Sequence, residues 1–350
     1  MSLTGPYGIY GVPEQKGAEL AVDELNSSHY LGQSQLKLTT ADDQSTVANA
    51  ISAYKTLASD GSIGILYGFT TPLTTPLTQL AVSMKIPSIV TGATGEGVTA
   101  VPYAYRTVYL PEAAGGIYDQ SIDAAATNWK PSTAVIVYDS DSDSFSGPVE
   151  QLWVNGANRN HIKVLSQIAV LSSATDLSSV ATTIVHDNPD LVIADTQANG
   201  TANLMRGLSQ FGYKGHVLTN YGVDSKGAFN IGGAAMAGVT WAPVFSVLSK
   251  NPVSQEFVKA YEAKYGSAPD QFAAEGYNSI NFLALGIKDA QGKGSVTRAS
   301  LATALNGIKS WQSTNGDFTM SDGAAIYSGK AIFVQWNANG TQSVVWGQGQ

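Results

Sequence analysis

Two short threonine-bearing segments hold the residues best suited to bind an anion. The first is Gly68-Phe69-Thr70-Thr71-Pro72-Leu73, which follows the apolar stretch Ile63 to Tyr67 and precedes apolar positions at Leu77, Leu80, Ala81 and Met84. The pattern predicts a strand running into a helix, with Thr71 as N-cap and Pro72 as the first helical residue, where a missing N–H costs nothing. Such a helix start offers free N–H groups and the positive end of the helix dipole. With the Thr70 and Thr71 hydroxyls beside it, it is a carboxylate site in kind. An ordinary capped helix start has the same sequence. The second segment, Thr91-Gly92-Ala93-Thr94, follows the apolar Ser88 to Val90. Gly92 lets a ligand come close to the backbone, and the Ala93 carbonyl and Thr94 hydroxyl stand ready beside it. A simple left-handed turn would read the same way. Four aromatics, Tyr7, Tyr10, Phe145 and Tyr221, fall at expected loop positions. Each could wall a cleft with an apolar ring and a polar tip, or simply pack.

Other chemistry is missing. The sequence has no His-Glu-x-x-His pair and no Gly-x-Ser-x-Gly elbow, and its four histidines lack metal-ligand spacing. Gly92 to Gly97 is glycine-rich but fits neither the dinucleotide fingerprint nor the phosphate loop. The acidic run Asp139 to Asp143 matches a calcium loop only in composition and reads as a solvated loop. The absence of cysteine excludes disulfides, thiolate metal sites and a thiol nucleophile. A net charge of −8 with scattered Lys and Arg argues against a nucleic-acid partner. No metal or cofactor is implied, and no apolar run reaches the roughly 18 residues a membrane span needs.

The elements that must position these residues alternate regularly. Helical spacing marks Glu14 to Asn26, Val47 to Ala58, Leu77 to Met84, Leu177 to Ile184 and Leu204 to Leu208. Strands are expected at Leu36 to Thr40, Ile63 to Tyr67, Ser88 to Val90, Ala134 to Tyr138, Lys163 to Ala169, Leu191 to Ala194 and His216 to Thr219. From Pro252 come three helices, Pro252 to Tyr265, Gln271 to Ala290 and Thr297 to Ile308, then strands at Ala331 to Trp336 and Ser343 to Trp346. This beat predicts an α/β fold of parallel sheets covered by helices on both faces. The rhythm changes near Pro111 to Gly116 and again near Trp241 to Phe245. With 350 residues this predicts two discontinuous lobes, 1–115 with 246–328 and 116–245 with 329–350. Only Met1 to Leu3 precedes the Gly5-Pro6 turn, so the first strand is expected to be very short or trimmed together with a signal peptide.

A set of short motifs in order carries a family resemblance. It includes Leu3-Thr4-Gly5-Pro6, Lys16 to Ala21, Asp42-Asp43-Gln44, Gly68 to Thr71, Ile86-Pro87, Thr91 to Thr94, Tyr105-Arg106-Thr107 and Tyr138-Asp139. Asn188-Pro189-Asp190, Phe211-Gly212, Tyr261 to Gly266 and Phe333 to Trp336 continue it. Together these resemble the leucine/isoleucine/valine-binding type of periplasmic solute-binding protein, over nearly the whole chain.

The resemblance implies two Rossmann-like lobes joined by a three-crossing hinge, with a ligand cleft between them. It implies a periplasmic monomer that closes on a small carboxylate ligand and delivers it to the membrane permease subunits of an ABC transporter. In that family a Ser or Thr at a helix start holds the ligand carboxylate, and Thr71 matches it, with Thr70 before it. Gly92, Ala93 and Thr94 match the positions that hold an α-amino group. Tyr10 matches an aromatic after the Gly-Pro turn, Phe145 one from the second lobe, and Gln197 a contact from that lobe. Tyr7, Phe69 and Asp224 complete the candidate set. One position departs: Tyr221 stands where amino-acid binders place a Glu or Asp against the ammonium. A buried ammonium without a carboxylate is expensive. Asp224 or Asp195 would have to substitute, so an aromatic or aliphatic acid lacking an amine stands beside an apolar amino acid as the expected ligand. The rival readings are a sensory domain of a receptor or regulator, and an enzyme on a Rossmann scaffold.

Overall fold

The structure is a computed structural model that describes all residues except 96, 112–114, 142–147, 327–329 and 348–350. The chain opens with α1 (Gly8–Ser27), α2 (Val47–Ser59), β1 (Ile65–Tyr67), α3 (Thr71–Met84), β2 (Ser88–Val90) and β3 (Ala104–Arg106). There follow α4 (Ile117–Asn128), β4 (Thr133–Asp139), α5 (Pro148–Arg159), β5 (Lys163–Val170), α6 (Ser178–Asp187), β6 (Leu191–Asp195), α7 (Ala198–Gln210) and β7 (His216–Thr219). After them come α8 (Lys226–Gly232), β8 (Val239–Trp241), α9 (Pro252–Tyr265), α10 (Gln271–Lys293) and α11 (Arg298–Gly307). The chain closes with β9 (Ser310–Ser313), β10 (Gly316–Ser321), β11 (Ala324–Ile326), β12 (Phe333–Trp336) and β13 (Gln342–Trp346).

These elements divide into two compact units, Met1–Leu110 with Phe245–Tyr327, and Pro111–Val244 with Ser328–Gln350. The first unit holds a six-stranded sheet of order β1-β2-β3-β11-β10-β9. Its strands from β1 to β11 are parallel, and β10 runs antiparallel to both neighbours. Helices α2, α10 and α11 start where side chains satisfy the first orphan amides. Thr46 accepts from the Asn49 N–H, Asp270 from the Ala273 N–H, and Thr297 and Ser300 form a reciprocal capping box. The core beneath α2 and α3 gathers Tyr54, Ile65, Tyr67, Leu73, Leu77 and Ile86, all buried.

The second unit holds a seven-stranded sheet of order β13-β12-β8-β7-β6-β4-β5. Strands β4 to β8 are parallel, and β12 is antiparallel to β8 and β13. The continuous apolar runs of β4 and β6 are buried on both faces, as parallel strands covered by helices must be.

The α/β class stands, but the sheets are mixed rather than purely parallel, because short hairpins at β9–β11 and β12–β13 close their edges. Helix α1 starts at Gly8, six residues before the expected Glu14. The turn in which the Gly8 N–H donates to the Gly5 carbonyl launches it, and the apolar period becomes visible only after Pro13. Leu36 to Thr40 also differs from expectation. It is extended and alternates, with Leu36, Leu38 and Thr40 half-buried and Lys37 and Thr39 exposed, yet it pairs with no strand among the described residues.

Candidate functional site

In the first unit the candidate residues collect at the carboxyl ends of β1 and β2. Gly68 turns the chain out of β1 with φ of +83°, and a Cβ there would lie 2.2 Å from Thr74 Oγ1, so only glycine fits. Its carbonyl accepts the Gly92 N–H at 3.2 Å, the Ala93 N–H at 3.3 Å and the Thr91 hydroxyl at 3.4 Å. The two threonine-bearing turns are therefore fastened to one oxygen.

The helix start differs by one residue from the sequence expectation. Thr70, not Thr71, is the capping residue of α3, and its side chain makes no cap hydrogen bond. The reason is that Thr71 already turns helically and spends its hydroxyl on the next loop, accepting the Gly95 N–H at 3.1 Å. The Thr70 carbonyl is taken by the Thr74 N–H at 3.0 Å and the Thr74 hydroxyl at 2.7 Å. The Thr70 hydroxyl is buried and has no hydrogen-bond partner among the described residues. That hydroxyl thus stands unengaged at the positive end of α3.

An aromatic wall adjoins this turn. The Phe69 ring stacks on Tyr10 with centroids 4.1 Å apart and meets Phe272 edge-on at 5.3 Å. Tyr10 is on α1 and buried, not in a loop as expected. The helix begins earlier than the period suggested, so Tyr10 comes to lie inside it. A Cβ on Gly92 would sit 2.7 Å from Phe69 Cδ2 and 3.3 Å from a Glu275 carboxylate oxygen, so glycine sets how closely this turn approaches the wall. Ala93 and Thr94 are buried, and the Thr94 carbonyl accepts from Arg106 Nη1 at 2.9 Å. Tyr7 stands half-buried against the neighbouring core, its backbone N–H donating to Ser45 Oγ. Glu14, also buried on α1, has its carboxyl pushed up to about 8 because burial penalises the anion, with a hydrogen bond from Thr91 pulling the other way.

In the second unit, Gln197, Tyr221 and Asp224 collect at the carboxyl ends of β6 and β7. Gln197 immediately precedes α7, and its N–H donates to Asp139 Oδ2 at 2.7 Å. Tyr221 opens a single 3-10 turn fastened by the Asn220 side chain, which accepts the Gly222 N–H at 2.8 Å. The Tyr221 ring is buried and lies 6.3 Å from Tyr118, which lies 5.1 Å from Trp153. Asp224 accepts from Gln342 Nε2 at 2.6 Å, and Asp195 from Asn220 Nδ2 at 3.0 Å. Phe145 lies outside the described residues.

Several charged residues of these clusters escaped the sequence reading as site residues. Asp139 was grouped with a solvated acidic run, but it ends β4 and is fully buried. Burial pushes its carboxyl up to about 7, against the pull of the Gln197 N–H. Its place at the carboxyl end of a strand was the available signal. Arg106 ends β3 in the same way. Glu275 and Glu14 sit inside long helices, and nothing local in the sequence distinguishes them from surface acids.

Residues 1–341 match the family described as periplasmic binding protein. The chain is 23% identical over 338 residues to the Leu/Ile/Val-binding protein homolog 3 of Brucella melitensis, covering 96% of this chain and 89% of that one. The branched-chain amino acid transporter substrate binding protein LivJ from Streptococcus pneumoniae, solved in complex with isoleucine, superposes with a TM-score of 0.86 at 20% identity, covering 98% of this chain and 97% of that one. An ABC transporter solute binding protein from R. palustris, solved in complex with benzoate, superposes with a TM-score of 0.83 at 20% identity, covering 98% and 93%. At these identities the two structures speak for the fold, while the family match runs through both sheets and both threonine-bearing turns. The chain belongs to the periplasmic binding protein family.

Proposed function

We propose that this protein is the extracytoplasmic solute-binding component of an ATP-driven uptake transporter, and that it captures a small carboxylate and hands it to membrane permease subunits. The observation that carries this reading is the start of α3, where the buried Thr70 hydroxyl has no hydrogen-bond partner among the described residues. It is a donor at the positive end of a helix, and a carboxylate is the ligand group that would satisfy it. The stacked Tyr10 and Phe69 rings give an apolar side chain a surface to lie on. Thr71, Gly92, Ala93 and Thr94 complete the first unit's contribution, and Gln197, Tyr221 and Asp224 are assigned to the second unit's. The two units close on the ligand, and the protein works as a monomer without catalysis.

The ligand class follows from Tyr221, which offers a ring and a hydroxyl where an ammonium would need a carboxylate. An aromatic or aliphatic acid without an amine is therefore the first choice. The relatives support a choice between two classes, since one neighbour was solved with benzoate and another with isoleucine. An apolar amino acid is the second choice, favoured by the buried carboxylates Asp195 and Asp224 in the second unit. A thermal-shift screen of benzoates and short aliphatic acids against leucine, isoleucine and valine tests the reading. A larger rise with an amine-free acid is expected. A larger rise with leucine moves the ligand to the second choice, and no rise with any carboxylate refutes the site.

A further inference from the structure

Helix α1 presents two residues, one helical turn apart, to the two threonine-bearing turns of the first unit. Tyr10 stacks on Phe69 of the first turn. Glu14 follows on the same face of the helix and meets the Thr91 hydroxyl, which heads the second. Glu14 is 1% exposed, and its Oε1 has no hydrogen-bond partner among the described residues. Helix α10 packs backbone to backbone against α1 here. A Cβ on Gly276 would lie 2.0 Å from the Glu14 carbonyl oxygen, and one on Gly17 1.8 Å from that of Ala273. Glycine permits this approach, and helices this close hold the Glu14 backbone in place.

The Thr91 hydroxyl has a single hydrogen to give. It donates to the Gly68 carbonyl at 3.4 Å, the oxygen that also accepts the Gly92 and Ala93 N–H groups. A protonated Glu14 can donate to Thr91 and leave that bond in place. An ionised Glu14 can only accept, so it competes with Gly68 for the one hydrogen. The anion wins, because a charge-assisted bond is about twice as strong as a neutral one. The Gly68 carbonyl then loses its third donor. Burial favours the protonated state and pushes the Glu14 carboxyl up to about 8. Asp43 and Asp270 act in the same direction, and the Met1 amino group acts against it. Glu275, on α10, comes to the Gly92 side of the same turn, its Oε2 3.3 Å from where a Gly92 Cβ would sit.

We infer that Glu14 is a positioning residue of the carboxylate site, acting through the Thr91 hydroxyl on the Gly68 carbonyl and loosening both threonine-bearing turns when it loses its proton. The inference rests on the reading of those turns as the carboxylate site. Ligand affinity is then highest while Glu14 is protonated and falls as pH rises through its titration. By linkage, a bound carboxylate makes Glu14 hold its proton more tightly.

The first measurement needs no ligand. The Gly92 and Ala93 amide resonances, followed by NMR from about pH 6 to about pH 9.5, are expected to shift with a midpoint near that of Glu14. Glu14→Gln keeps a donor for Thr91 and cannot ionise, so in it both resonances should stay flat. The second measurement is calorimetry with benzoate and with isoleucine over the same range. Kd is expected to weaken about three- to tenfold, the effect of one lost hydrogen bond. Glu14→Gln should hold the low-pH Kd throughout, and it controls for titration of the ligand and of Asp270. Thr91→Val removes the relay and should show the weaker, high-pH Kd throughout. Resonances that stay flat in the unsubstituted protein, shifts that persist in Glu14→Gln, or a Thr91→Val protein that keeps the pH dependence each overturn the proposal. Binding with a flat Kd does so as well, and leaves the carboxylate site standing. No heat from either ligand at any pH refutes the carboxylate site itself.

Discussion

Replacing Thr70 with valine should move stability and affinity in opposite directions. The two side chains have the same shape, and Thr70 sits at φ −103°, ψ 149°, where a β-branched residue is at ease. Its hydroxyl makes no cap bond and is buried without a partner among the described residues, so the substitution removes no internal hydrogen bond. An unsatisfied buried hydroxyl costs about 1–3 kcal/mol, so the ligand-free protein should gain up to about that much. For a unit of roughly 200 residues, each kcal/mol shifts Tm by about 2–4 °C, which calorimetry resolves. The ligand complex should lose a charge-assisted hydrogen bond worth about 1.5–3 kcal/mol, a roughly ten- to hundredfold weaker Kd by titration calorimetry. A merely structural hydroxyl would lower Tm and leave Kd alone. That pattern, or an unchanged Kd with the strongest acid of the screen, refutes the assignment of Thr70 to the carboxylate.

Two further substitutions probe the surroundings of this turn. Gly92→Ala would put a Cβ 2.7 Å from the Phe69 ring, so the ring must leave its stack on Tyr10 or the turn must lift. A stability loss of about 1–3 kcal/mol and at least tenfold weaker binding are expected, with urea unfolding and calorimetry as the measurements. Glu14 binds its proton more tightly in the folded protein, up to about 8, than in the unfolded chain near 4.5. Its contribution is therefore whole below pH 4.5 and is lost as pH rises toward 8, at about 1.4 kcal/mol for each unit of separation at most. Glu14→Gln should flatten the fall in unfolding free energy between pH 5 and 8. An unchanged slope would mean that the carboxyl titrates normally.

The sequence made the parallel parts of the fold legible because buried strands and amphipathic helices carry opposite periods. His216–Thr219 and Pro252–Tyr265 were delimited to the residue, since Gly or Asn and Pro punctuate their ends. The three-residue strands Ala104–Arg106 and Ala324–Ile326 went unread because, unlike the equally short Ser88–Val90, they carry no adjacent pair of β-branched apolar residues to mark them. Leu36–Thr40 shows the limit from the other side: alternation specifies which face is buried, while pairing depends on what lies beside the edge. At the site, the turns at Gly68 and Gly92 were visible because glycine and threonine cluster there. The shift of the helix start from Thr71 to Thr70 was not, because it depends on which hydroxyl the Gly95 amide reaches. The burial of Asp139, Glu14 and Glu275 was hidden for a similar reason. A carboxylate is read as surface unless the tertiary packing around it is known.

The charge of the ligand's far end can be settled by the sign of one substitution. Asp224 is buried in the second unit just after the Tyr221 turn, and one of its oxygens accepts from the Gln342 amide. Asp224→Asn keeps the shape and an oxygen to accept that bond while removing the charge. For an amine-bearing ligand held by this carboxylate, the substitution strands a buried ammonium and should weaken binding by about 2–5 kcal/mol. For an acid without an amine, a nearby carboxylate only repels the ligand's own charge, so its removal should leave Kd unchanged or tighten it. The Tyr221 argument requires the second outcome for the strongest ligand of the screen. Measured with both isoleucine and benzoate, a loss for isoleucine alone would show that the protein can hold an ammonium at Asp224. A preference for isoleucine over benzoate in the unsubstituted protein would then assign Tyr221 to packing against Tyr118, not to ligand selection.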